Sequence, residues 1–135
     1  MKRVLLSLVF ALALMPAIGD AAKPILNLVD VAVPVKLDST SHTAEEVQKA
    51  IVGACYSRGW APVVDGEGMI RATINVRGKH FAEIEIPFSA SSYSILFKSS
   101  KNLDWDPKRG KIHRNYNNWV VKLSASIDKL IIESD

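Results

Sequence analysis

Six cations crowd one tryptophan late in this chain. Lys98, Lys101, Lys108, Arg109, Lys111 and Arg114 surround Trp105, which stands between Asp104 and Asp106. Basic side chains beside an aromatic ring can hold a phosphate or a carboxylate, and the start of a helix would add free backbone N–H groups. Residues 99–110 show no period of their own, and aperiodic loops of that length inside a small domain often carry function. The candidate binding surface is therefore Lys101, Trp105, Lys108, Arg109, Lys111, His113, Arg114 and Asn117. The plainer alternative is a solvated basic loop paired with Asp104, Asp106 or glutamates of a neighbouring sheet. Tyr116 and Trp119 lie on an apolar stripe and read as core rather than as a binding platform.

Covalent chemistry has less to draw on. The chain has one cysteine, Cys55. An exported protein with a single cysteine forms no internal disulfide, which leaves only a bond between two chains. Cys55 falls on or beside the apolar face of a helix, where a thiol acts as a small hydrophobe. His42, His80 and His113 lack ligand spacing, and neither G-x-S-x-G nor H-E-x-x-H occurs. No catalytic residue, metal or cofactor is assigned. A hydrolase or metal site built from His113, Asp104 and Asp106 is the weakest reading.

The elements that would carry the basic surface follow from periodicity. Ile112, Tyr116, Trp119, Val120, Leu123, Ile127, Leu130 and Ile131 recur at steps of three and four, which predicts a one-sided helix over 111–135. Gly110 favours a start near Lys111. Lys111, His113 and Arg114 then fall in the first turn, opposing the helix dipole at about 0.3 kcal/mol or more each. Asn115, Asn117 and Asn118 are poor helix formers, so something local should repay them. The candidates are a hydrogen bond from Asn115 or Asn118 to the 99–110 loop, or a ligand beside Trp105. An earlier helix is predicted over 43–58. Thr43 and Glu46 form its capping box, and Gly59 supplies the left-handed stop.

Between the helices the period is two. Ile70, Ala72, Ile74 and Val76 share one face, as do Ala82, Ile84, Ile86 and Phe88, and then Tyr93, Ile95 and Phe97. Arg71 and Arg77 are expected to pair across the other face with Glu83 and Glu85. Val29, Val31, Val33 and Val35 alternate in the lead-in, and Pro34 marks an edge strand or its end. The expected fold is an α+β two-layer sandwich: an antiparallel meander of four or five strands, covered on one face by two helices, in the order β-α-β-β-β-β-α.

Residues 1–21 read as a signal peptide. Lys2 and Arg3 precede an apolar run at 4–15, Pro16 breaks it, and small residues before Gly19 and Ala21 offer cleavage positions. The run is shorter than the roughly 20 residues of a membrane span. Residues 22–135 then form a single α+β domain of ordinary size. The net charge of +3 loses one unit with Lys2, Arg3 and Asp20, too little to suggest nucleic acid. The expected location is the periplasm, with no integral membrane segment after cleavage.

The chain also carries Arg58-Gly59-Trp60, Tyr93-Ser94-Ile95, Ser100-Lys101-Asn102-Leu103 and Ile112-His113-Arg114-Asn115-Tyr116-Asn117-Asn118-Trp119. In this it resembles a group of small exported or lipid-anchored bacterial envelope proteins over most of 22–135. The resemblance implies the α+β fold and an envelope address, and implies no activity. This chain departs from the lipid-anchored members in having no acceptor cysteine after its leader. The functional expectation is a non-enzymatic periplasmic protein that binds an envelope protein or an anionic envelope component through the 99–114 surface. The alternative is a small-ligand carrier with its pocket between the sheet and the C-terminal helix.

Overall fold

Residues 21–134 are described by a computed structural model; apart from Ala21, the expected signal peptide over 1–21 lies outside the described residues. The elements are β1 (Ala22–Pro24), β2 (Leu28–Ala32), α1 (Ala44–Ser57), β3 (Trp60–Val64), β4 (Met69–Val76), β5 (His80–Pro87), β6 (Ser92–Lys101), β7 (Lys111–His113) and α2 (Arg114–Glu133). Five of the strands form one antiparallel sheet in the order β2-β6-β5-β4-β3. Strands β3 to β6 are the expected meander, and β2 closes on β6 at the far edge. The connection through α1 thus spans the sheet from one edge to the other. Both edge strands meet a proline, Pro62 within β3 and Pro34 just beyond β2, whereas the central β5 has one only as its last residue, Pro87. A small second sheet, β1 with β7, was not foreseen.

Helix α1 begins where its cap demands. Thr43 Oγ1 accepts the Glu46 backbone N–H at 3.1 Å, and Gly59 (φ 81°) takes the left-handed position after the last turn. The return half of the capping box does not form. The Glu46 carboxylate is held instead by His42 Nδ1 at 2.8 Å and Lys36 Nζ at 3.3 Å. Val47, Ala50, Ile51, Ala54 and Cys55 make the buried face of α1, and Tyr116, Val120, Leu123, Ile127 and Ile131 that of α2. They meet Ile70, Ala72, Ile74, Ala82, Ile84, Ile86, Tyr93 and Ile95 of the sheet. Register sets Ala72 against Ile84 and Ala82 against Ile74, so small and large side chains alternate under the helices. Each fully buried Ile or Leu contributes about 1.5–3 kcal/mol.

Two expectations on the sheet need correction. The valine alternation over 29–35 breaks at a bulge between Leu28 and Val31. Asp30 adopts φ 50° there, and its N–H donates to Ser94 Oγ at 2.9 Å. The extra residue leaves Val29 exposed while Val33 is buried, and Val35, beyond the end of β2, is exposed as well. The cross-strand register does set Arg71 opposite Glu85, but the ion pairs form elsewhere. Arg71 Nε lies 2.7 Å from Asp65 in the β3–β4 turn, and Lys98 Nζ lies 2.7 Å from Glu85. The cause is a second bulge: Glu83 pairs with Ser99 and Ile84 with Phe97, which leaves Lys98 between them and beside Glu85. Hydrogen bonding from Lys98 holds the Glu85 carboxyl below the usual carboxylate range.

Candidate functional site

The 99–114 region is more ordered than its lack of period suggests. Strand β6 runs on through Lys101, and the chain then turns through Asn102 (φ 59°) and Asp104 (φ 54°). Both residue types tolerate the left-handed region better than most. Leu103 is buried between them and anchors the turn in the core. Asn102 Nδ2 donates to the Lys79 carbonyl at 2.7 Å, and its own carbonyl accepts from His80 Nδ1 at 2.8 Å. The turn is thereby tied to the β4–β5 hairpin.

Residues 106–111 form a tight hairpin. Asp106 and Lys111 exchange both backbone hydrogen bonds, at 2.8 and 3.2 Å. The Asp106 carboxylate accepts from the N–H groups of Lys108 and Arg109, and Gly110 (φ 62°) supplies the left-handed return. Lys108 and Arg109 are exposed at the tip.

Helix α2 does not start at Lys111. Residues 111–113 extend as β7, because β1 offers a ladder partner and the hairpin feeds Lys111 into it. The helix begins at Arg114 with His113 as its cap: His113 Nδ1 accepts the Asn115 N–H at 3.1 Å. The Arg114 N–H donates to the Ala21 carbonyl at 2.7 Å. Two of the backbone donors counted on for an anion are therefore occupied, and of the three basic residues only Arg114 lies in the first turn. This removes the helix-terminus half of the expected anion site.

The remaining candidates divide. Trp105 is half-buried with its ring 4.6 Å from that of Phe97, which meets Tyr116 edge-on at 5.4 Å. It pins the loop to the core and is no free platform. Asn117 is structural as well: Oδ1 accepts the Leu26 N–H and Nδ2 donates to the Pro24 carbonyl, each at 2.9 Å. The asparagine that tethers a neighbour is thus Asn117, not Asn115 or Asn118, and its target is the N-terminal lead-in rather than the 99–110 loop. Lys101 lies over Phe81, 5.9 Å from the ring centroid. Lys101, Lys108, Arg109 and Arg114 are exposed, and Lys111 is partly so. None of these five has an ion-pair partner among the described residues, whereas Lys36, Arg71, Lys98 and Lys129 each face a carboxylate.

The trio of His113, Asp104 and Asp106 does not converge. His113 is spent on the helix cap and Asp106 on the hairpin turn, and no three His, Cys, Asp or Glu side chains among the described residues stand together as metal ligands. Cys55 is buried and free, and desolvation pushes its thiol up to about 12, which leaves it unreactive at neutral pH. Residues outside the expected binding surface line a cleft between the β4–β5 hairpin and α2: Arg77, His80, Asn115, Asn118, Trp119 and Lys122. Their helical members share the spacing 115, 118, 119 and 122. Only the fold shows that a hairpin tip faces them. Comparison with protein-family models, curated proteins and solved structures gives no match.

Proposed function

We propose that this chain is a non-enzymatic protein of the bacterial periplasm, exported by the leader at its N-terminus. It would bind an acidic partner, an envelope protein or an anionic envelope component, through the basic hairpin 106–111 with Lys101 and Arg114 beside it. The observation that carries this reading is a pre-formed cationic tip. Lys108 and Arg109 project from a hairpin closed by its own backbone and by Asp106, so little ordering entropy opposes docking. The likeness to small envelope proteins noted in the sequence supports the same address. No helix among the described residues is long and apolar enough to cross a membrane.

A carrier with its ligand between sheet and α2 has less support. Tyr116, Val120, Leu123, Ile127 and Ile131 fill that interface with no solvent exposure.

Each Lys or Arg near an anionic surface contributes about 1 kcal/mol. Reversing Lys108, Arg109 and Lys111 to Glu together therefore removes at least 3 kcal/mol, about a hundredfold in affinity. Wild-type protein should sediment with phosphatidylglycerol vesicles or capture a partner from envelope extract, less so as salt rises, and the triple variant should do neither. Capture and sedimentation both unchanged in the triple variant would show that the hairpin is not the site.

A further inference from the structure

The cleft between the β4–β5 hairpin and α2 has a volume of about 300 Å³. That is the lower end of the range for small-molecule sites, roughly 300–1,000 Å³, and suits one ring rather than a chain. Its polar lining carries Arg77, His80 and Lys122 with no carboxylate, two amides and one indole. Neither Arg77 nor Lys122 has an ion-pair partner among the described residues. The carbonyl of Asn102 fixes the His80 tautomer: a carbonyl only accepts, so Nδ1 carries the proton and Nε2 is the free ring nitrogen.

Three of these residues sit where their type costs stability. Arg77 opens the three-residue turn 77–79 between β4 and β5 at φ 59°, followed by Gly78 at φ 66°, with the Lys79 N–H donating to the Val76 carbonyl at 3.1 Å. That turn prefers Asn, Asp or Gly at this position, since a left-handed backbone strains a longer side chain. Asn115 and Asn118 are poor helix formers, and neither side chain has a hydrogen-bond partner among the described residues. The tether that accounts for Asn117 does not account for them. All three line the same cleft: one backbone held in the left-handed region, at Arg77, and two side-chain amides with no partner among the described residues.

We infer that this cleft binds an acidic monosaccharide unit, a sugar carrying a phosphate or a carboxylate. Arg77 and Lys122 meet the anion. The Asn115 and Asn118 amides and His80 Nε2 exchange hydrogen bonds with hydroxyl groups. The half-buried Trp119 ring packs against the sugar's apolar face. This site is separate from the basic hairpin and does not depend on its role.

The test is an NMR titration of the ¹⁵N-labelled protein with glucose 6-phosphate, glucuronate, glucose and inorganic phosphate. The expected result is saturable movement of the Trp119 indole and the Asn115 and Asn118 side-chain amide signals with one or both acidic sugars. The two acidic arms distinguish phosphate from carboxylate as the preferred anion. Glucose and inorganic phosphate should each bind at least tenfold more weakly. Arg77→Asn suits the turn better than arginine does, so it should fold with an unchanged or higher Tm yet lose at least tenfold in affinity. Lys49→Ala, a remote exposed cation, should bind as wild type. Equal binding of glucose or of inorganic phosphate, undiminished binding by Arg77→Asn, or no movement with either acidic sugar would overturn the assignment.

Discussion

Replacing Asn117 separates a structural role from a binding one. Its side chain bridges the N-terminal lead-in to α2 through two hydrogen bonds of 2.9 Å, from the Leu26 N–H and to the Pro24 carbonyl. Alanine removes both. A net contribution of about 1 kcal/mol per bond suggests a loss of about 2 kcal/mol. Alanine is also the better helix former by about 0.6 kcal/mol, which offsets part of it. The expected net loss for Asn117→Ala is therefore about 1–1.5 kcal/mol, a fall in Tm of several degrees. Asn117→Asp keeps the acceptor for Leu26 and loses only the donor to Pro24, so it should fall between alanine and wild type. Urea unfolding reads the global loss, with Val121→Ala at an exposed site on the same helix as the control. Hydrogen exchange reads where it occurs. The Leu26 amide loses its acceptor and should exchange faster, whereas the Ile25 N–H, bonded to the Gly110 carbonyl at 2.8 Å, should change less. If Asn117→Ala is as stable as wild type and Leu26 exchange is unchanged, the tether is not real and Asn117 returns to the binding candidates.

Two tyrosines should respond oppositely to loss of their hydroxyl. Tyr93 Oη donates to Asp128 at 2.9 Å and lies 2.7 Å from Ser124 Oγ, so Tyr93→Phe should cost about 1–2 kcal/mol, while the buried Tyr116 hydroxyl has no partner among the described residues and Tyr116→Phe should be neutral or stabilising; urea midpoints in the reverse order would refute this. The Glu46 carboxyl is lowered from its ordinary 4.5, chiefly by the hydrogen bond from His42. A depressed folded-state value means that its stabilisation is present above 4.5 and is lost as pH falls through the lower folded value. Glu46→Gln should thus flatten the acid limb of a stability–pH curve, and an unchanged limb would exclude the pair. The Ala21 carbonyl accepts the first N–H of α2, so cleavage after Ala21 would strip the helix of an acceptor. A chain beginning at Asp20 should therefore be more stable than one beginning at Ala22, by about 1 kcal/mol; equal urea midpoints for the two would refute it.

The two-layer architecture was readable along the chain. The α1 cap at Thr43, the stop at Gly59 and the inward rows of β4, β5 and β6 came from local patterns, and the structure places them as expected. The start of α2 was not readable. The apolar residue Ile112 fits the helical stripe and a strand equally well, and β1, far away in sequence, decides for the strand. The same limit explains Trp105 and Asn117, whose spacing suggested ligand contact and whose partners, Phe97, Pro24 and Leu26, make them structural.

By itself the sequence determined which segments bury one side, because burial of a helix or strand face imprints a period within a few residues. Only the tertiary structure decided where polar groups find partners. The Asn117–Leu26 bond joins positions 91 apart, and the cleft forms where a hairpin tip meets a helix. Such pairings depend on distances in space that no local stretch of chain contains.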